Sequence, residues 1–211
     1  MKTIAIALIL LLTGCRTEQT DFTPTVTNKQ VSDSLIIDLS RFKMIGDSVL
    51  IVYTKSNPDT FRSSLNYDNE THSRYFVETY EYKGFNRKLN FHFIDYHDWE
   101  GLYLTILVHD SNDIRYRLSS YPLFSSDGKH FIDFCDSCFP LGEDGISLNS
   151  LNNGNIEKVW SEYSSDWYPD SIKWVSESRF SYYETYRDSI NSGIISKRVK
   201  KIRELSGDLV N

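Results

Sequence analysis

Short runs of β-branched, aliphatic and aromatic residues recur from residue 34 to residue 186, and clusters of Gly, Asn, Asp or Ser cut nearly all of them short before helical length. The runs cover residues 34–39, 48–54, 74–82, 88–96, 102–108, 114–119, 130–135, 146–148, 156–160, 171–175 and 179–186. This is the signature of strands separated by turns. Within 88–96, Leu89, Phe91 and Phe93 alternate with Asn90 and His92, so one face is expected to be buried and His92 to lie on the opposite, polar face. Asp110-Ser111-Asn112-Asp113 and Asn152-Asn153-Gly154-Asn155 read as hairpin turns, Lys83-Gly84-Phe85-Asn86 as the break between two strands, and residues 58–69 as a loop. The expected fold class is therefore all-β, built from antiparallel sheets. Only the C-terminus offers a helix. Ile195, Val199, Ile202, Leu205 and Leu209 recur at helical spacing, although residues 194–202 also read as a last edge strand.

Composition narrows the setting. With 40% hydrophobic and 25% charged residues the chain is globular, and a net charge of −6 argues against a nucleic-acid partner. Aromatic residues make up 14%, which suits strands. Trp99, Trp167, Tyr168 and Trp174 are the rings considered for stacking on a glycan, against the competing role of core packing.

The N-terminus carries a positive Met1-Lys2-Thr3 segment and an apolar run, residues 4–12, too short for the roughly 20 residues that span a bilayer. Leu11-Leu12-Thr13-Gly14-Cys15 follows, and this segment resembles the lipobox of bacterial lipoprotein signals. The resemblance implies cleavage before Cys15, a diacylglyceryl group on its thiol and acylation of the new amine. Several acyl chains together anchor a protein stably. The expected organisation is a signal peptide (1–14), a lipidated polar tether (15–30) and one β-rich domain (31–211). Arg16 follows the cysteine where inner-membrane retention would want an aspartate, favouring the outer membrane and leaving the periplasmic or surface face open. The tether, rich in threonine and carrying Pro24, has a typical reach of roughly 20 Å.

A second resemblance lies in Tyr121-Pro122-Leu123-Phe124-Ser125-Ser126-Asp127-Gly128-Lys129-His130-Phe131-Ile132-Asp133-Phe134, which is similar to the TolB-like β-propeller repeat except that Ser126 stands in place of a proline. Asp127-Gly128 closes a tight turn in that motif, because glycine tolerates positive φ. An echo, Trp167-Tyr168-Pro169-Asp170, follows at a blade-sized interval of about 40 to 50 residues. The resemblance implies propeller-like blades, too few for most closed rings at this length. A β-sandwich is the alternative.

Candidate sites are few. Cys135 and Cys138 are expected to pair as a disulfide in an oxidising compartment, ahead of a redox or zinc role. His92, Asp95, His97, Asp98 and Glu100 form the densest set of acid–base side chains, to be weighed against a solvated turn. Lys197, Arg198, Lys200, Lys201 and Arg203 form a basic patch suited to anionic headgroups or an acidic partner. No phosphate loop, zinc-protease motif or nucleophile elbow occurs. The expectation is thus a non-enzymatic cell-envelope lipoprotein that binds another envelope protein. It names no catalytic residue, metal or cofactor. A glycan-binding lipoprotein, or a hydrolase centred on His97 and Asp98, is the alternative.

Overall fold

The structure is a computed structural model that describes residues 35–68, 73–112, 114–135, 144–187 and 195–205. Its strands are β1 (Leu35–Ile36), β2 (Phe42–Ile45), β3 (Val49–Tyr53), β4 (Pro58–Arg62), β5 (Ser64–Asp68), β6 (Ser73–Asn86), β7 (Phe91–Asp98) and β8 (Tyr103–His109). They continue with β9 (Arg115–Leu118), β10 (Leu123–Phe124), β11 (His130–Cys135), β12 (Asp144–Asn152), β13 (Asn155–Ser164), β14 (Trp167–Ser176), β15 (Arg179–Arg187) and β16 (Ile195–Glu204). Every pairing among them is antiparallel. The described residues contain no helix, and no sheet closes on itself.

Four sheets result. The first is β2-β3-β4; the second runs β1-β6-β7-β8-β9 with β5 also on β6; the third is β10-β11-β12-β13 and the fourth β14-β15-β16. They stack in that order through three apolar cores. Leu50, Val52 and Phe61 of the first sheet pack on Tyr82, Ile94, Ile106 and Val108 of the second. The opposite face of the second sheet offers Phe91, Phe93, Leu107 and Leu118 to Phe124 and Phe131 of the third. Leu123, Ile132, Ile146 and Leu148 of the third then meet Trp167, Ile172, Phe180 and Tyr182 of the fourth. Fully burying one such aliphatic or aromatic side chain stabilises by about 1.5 to 3 kcal/mol, so these cores set the stacking order.

The two inner sheets are therefore covered on both sides, which corrects the reading of β7. Phe91 and Phe93 do face one way, but His92 is not on a polar face: it points at the first sheet and is fully buried. Residues 58–68 are not a loop either, and residue 69 lies outside the described residues. Residues 58–62 form β4 on β3, and 64–68 form β5 on β6. In β4 only Phe61 is buried, which leaves too little alternation to read. The break expected at Lys83 to Asn86 is absent, because β6 continues to Asn86 through a register shift between Tyr82 and Gly84.

Of the two C-terminal readings, the edge strand holds and the helix does not. Residues 195–204 form β16 along β15. In this register Val199 lies on the inner side with Lys201 and Arg203, whereas Ile202 is outward and 55% exposed. The helical spacing thus fails to gather its apolar residues on one face. Pairing with the open edge of β15 satisfies a whole row of backbone groups instead.

Removing the ring of Phe131, fully buried between the second and third sheets, is expected to cost about 3 to 5 kcal/mol. Val175→Ala, at a site 54% exposed, should change stability by about 0.5 kcal/mol or less. Urea unfolding of the two variants checks this.

Candidate functional site

The acid–base residues gathered in the sequence around β7 are dispersed by the strand. His92 faces the first sheet, while Asp95 and His97 face the other way, so the sheet itself separates the two imidazoles. His97 stands edge-on to Tyr103, with ring centroids 4.6 Å apart. Asp98 shapes the following turn, its Oδ1 accepting the backbone N–H groups of Glu100 (3.0 Å) and Leu102 (2.8 Å). Asp95 is buried beside Lys83 and Tyr103, and burial outweighs both partners in raising its pKa. A hydrolytic centre joining His92 to His97 is excluded by this geometry. Among the described residues no group of three His, Cys, Asp or Glu side chains could hold a metal ion.

His92 instead anchors a buried polar clasp between the first two sheets. Its Nε2 donates to Asp110 Oδ1 at 3.1 Å, and the Tyr82 hydroxyl, 3.0 Å from Nδ1, donates to that nitrogen. The Asp110 carboxylate also faces Arg41 at 3.1 Å and Lys55 at 3.2 Å. The Arg41 guanidinium lies 3.9 Å over the Phe85 ring, and Phe42 stacks on Tyr82 at 4.4 Å. Burial pushes the His92 pKa down against the pull of Asp110. Burial opposes the Asp110 charge as well, but His92, Lys55 and Arg41 outweigh it and hold the carboxyl below its ordinary value. The pair is a neutral imidazole and an ionised carboxylate, and with His92 fully buried it meets no substrate.

A cleft lies at the turn end of the second and third sheets. It encloses about 440 Å³. Lys88, Leu89 and Asn90 come from the turn between β6 and β7, and His109 from the end of β8. Asp127 and Gly128 belong to the turn before β11, while Leu151, Asn153 and Gly154 surround the turn into β13. The turns are locally determined. Asn153 (φ 50°) and Gly154 (φ 81°) make the two-residue connection that suits a twisted hairpin. In the other turn Asp127 Oδ1 accepts the Lys129 N–H at 2.9 Å and the Ser125 hydroxyl at 2.7 Å. Asn90, also at positive φ (60°), holds its amide nitrogen 3.3 Å from His109 Nε2 and 3.2 Å from Ser111 Oγ.

His109 forms the cleft's floor against Gly154: a Cβ at position 154 would fall 2.4 Å from Nε2. The imidazole is held edge-on to Phe91 at 4.9 Å, and its Nδ1 accepts the Ser111 N–H at 3.3 Å. Tyr116, outside the lining, ties down the β12–β13 turn, accepting the Ile156 N–H at 2.9 Å and donating to Gly154 O at 3.3 Å. At the rim, Lys88 Nζ donates to Ser126 O at 3.0 Å. The result is a preformed concavity with amide, imidazole and ammonium groups around a small apolar floor. It can receive polar groups, and it contains no serine, threonine or cysteine nucleophile among its lining residues.

The aromatic residues singled out for a glycan are not brought together. Trp167 is 7% exposed in the core of the third and fourth sheets, and Trp174 packs beside it with its indole N–H donating to Leu123 O at 2.8 Å. Tyr168 is half-buried on β14, and Trp99, 65% exposed, lies beyond the end of β7. The basic patch is divided by strand alternation. Lys201 pairs with Glu184 (3.0 Å), Arg203 with Glu162 (2.7 Å) and Arg198 with Asp170, while Lys197 rests over Tyr186. Cys135 is disulfide-bonded; Cys138 and the lipidation candidate Cys15 lie outside the described residues. Comparison with family models, with curated proteins and with solved structures yields no match.

Two tests follow from this geometry. The His92 pKa is lowered in the folded state, so below about pH 6.5 the unfolded chain takes up a proton that the native state refuses. Stability contributed at this position therefore falls as pH drops through that region, by at most about 1.4 kcal/mol per pH unit. His92→Gln keeps a donor for Asp110 but does not titrate. Its deficit against wild type at pH 7.5 should narrow towards pH 5 in denaturant titrations. Gly154→Ala should cost about 1 to 3 kcal/mol more than Gly46→Ala, because position 46 has a similar positive φ but open space around it. Thermal unfolding of both variants separates the overlap with His109 from backbone strain.

Proposed function

We propose that this chain is a lipid-anchored protein of the bacterial cell envelope, and that its stacked sheets form a non-enzymatic platform for another envelope protein. The observation that carries the binding role is the cleft beside His109, where turns of two separate sheets converge on one preformed concavity. Loops held by a rigid sheet framework are the usual place for binding residues. The anchor reading rests on Leu11-Leu12-Thr13-Gly14-Cys15, and the outer-membrane preference on Arg16. We read the four sheets as consecutive propeller-like blades of an open stack. That reading is supported by their packing in the chain order of β2 to β16, β1 alone returning to the second sheet, and by the Asp127-Gly128 turn leading into β11.

The receiving groups suit a polar segment of the partner. Lys88 supplies a cation, Asn90 and Asn153 supply amides, and the floor of Leu89, Leu151 and His109 accepts a small apolar contact. Glycan recognition is the weaker reading, since a sugar platform needs exposed rings and Trp99 alone of the four tryptophan and tyrosine candidates is well exposed.

Capture experiments from detergent-solubilised envelopes of the native host test the proposal, comparing wild type with a Lys88→Glu/Asn90→Gly double variant. Glycine at position 90 keeps the positive φ of the native turn. A specific protein recovered with wild type and reduced about ten-fold with the variant, equivalent to about 1.4 kcal/mol, is the expected outcome. Recovery of no specific partner, or equal recovery by both proteins, overturns it.

A further inference from the structure

Among the described residues, the first sheet has a face that none of the three cores uses. Registers within it place Phe42, Leu50, Val52 and Phe61 towards the second sheet. The opposite side then carries Ile45, Val49, Ile51 and Tyr53, with Pro58 beside Tyr53 and Thr60 beside Ile51. Ile45 is 48% and Tyr53 37% exposed. The charged side chains of this face are Lys43 and Arg62, both exposed, and no carboxylate shares it. The nearest acids in sequence are Asp59, which the register turns towards the second sheet where it pairs with Arg115, and Asp47, in the turn between β2 and β3. On a chain of net charge −6 this is a local inversion.

We propose that this face rests on the surface of a bilayer containing anionic lipid. An apolar patch edged by cations is the composition that lies in the interface between headgroups and acyl chains, where buried apolar area and electrostatic attraction add. A second copy of this chain fits less well. A symmetric pairing would bring identical faces together, and each would offer Lys43 and Arg62 with no carboxylate to meet them. Chain order supplies the proximity. The described chain begins at Leu35 and enters the first sheet at Phe42, past exposed Ile37 (66%) and Leu39 (79%). Leu35 and Ile36 pair with β6 at an edge of the second sheet, so the 20-residue interval from Cys15 to Leu35 ends there, and the chain enters the first sheet seven residues later. This last point rests on the lipid-anchor reading, whereas the chemistry of the face does not.

The test uses the full-length protein made in its host, placed in vesicles of phosphatidylethanolamine and phosphatidylglycerol with bromine on the acyl chains. Tyr53→Trp puts a reporter in the face, and Thr60→Trp is a second reporter should the first disturb the sheet. Emission of either reporter should be quenched beyond the change seen for wild type, whose own four tryptophans lie elsewhere. Adding Lys43→Gln and Arg62→Gln should lower the ratio of quenched to unquenched protein about twenty-five-fold, about five-fold for each cation, and brominated phosphatidylcholine alone should do the same. An unquenched reporter on protein whose Cys15 carries acyl chains by mass spectrometry overturns the docking face and leaves the anchor standing. A quenched reporter on protein with unmodified Cys15 does the reverse. Equal quenching of wild type places another face on the bilayer and overturns the proposal. So does a reporter already shielded from acrylamide without vesicles, which means that another segment or a second copy covers the face.

Discussion

The second sheet is packed on both sides, and the remaining architecture follows from that constraint. A strand such as β7 must place Phe91 and Phe93 against the third sheet while His92 and Ile94 are pressed against the first. Every polar side chain on either face then needs a partner inside the protein, because an unpaired buried polar group costs about 1 to 3 kcal/mol. His92 is matched by Tyr82 and Asp110 at once. Asp110 in turn draws in Arg41 and Lys55 from the segments flanking β2 and β3. A buried acid–base pair here joins two sheets and performs no visible chemistry.

The same two-sided packing explains where a ligand site can form. Both faces of the two inner sheets are consumed by the three cores, so concave surface between sheets is left where their turns diverge. The cleft beside His109 is such a place, and its glycines follow from close approach: Gly154 lies on an imidazole and Gly128 lies 3.1 Å, counted from a would-be Cβ, from Leu89. Rim polarity at the far end of the stack is resolved differently. Arg203 bridges from the fourth sheet to Glu162 of the third, where Tyr182 also donates at 3.2 Å, whereas Lys201 and Arg198 pair with Glu184 and Asp170 of their own sheet.

Much of the strand order was legible in the residues. The alternation of Phe91 and Phe93, the hairpin from β8 to β9, the Asn153-Gly154 turn and the Asp127-Gly128 turn are all where local chemistry places them. Other parts were not legible. β4 and β5 hide because their partners, and not their own apolar residues, make them strands. β16 shows a helical spacing that the open edge of β15 overrides. Trp167 and Trp174 look like candidate ligand platforms until the third sheet covers them. The cleft was invisible for the same reason, since residues 88–90, 109, 127–128 and 151–154 converge only when two sheets are stacked.

What the sequence determined alone is therefore local: strand period, turn residues with positive φ, the exclusion of long helices between residues 34 and 186, and the lipobox-like N-terminal pattern. Each depends on interactions between near neighbours, whose geometry is the same in any fold. Only the tertiary structure decided which faces are interior, which carboxylates are paired, and which turns share a cleft. Those outcomes depend on whether a second sheet lies about 10 Å away, and one strand carries no record of what will cover it.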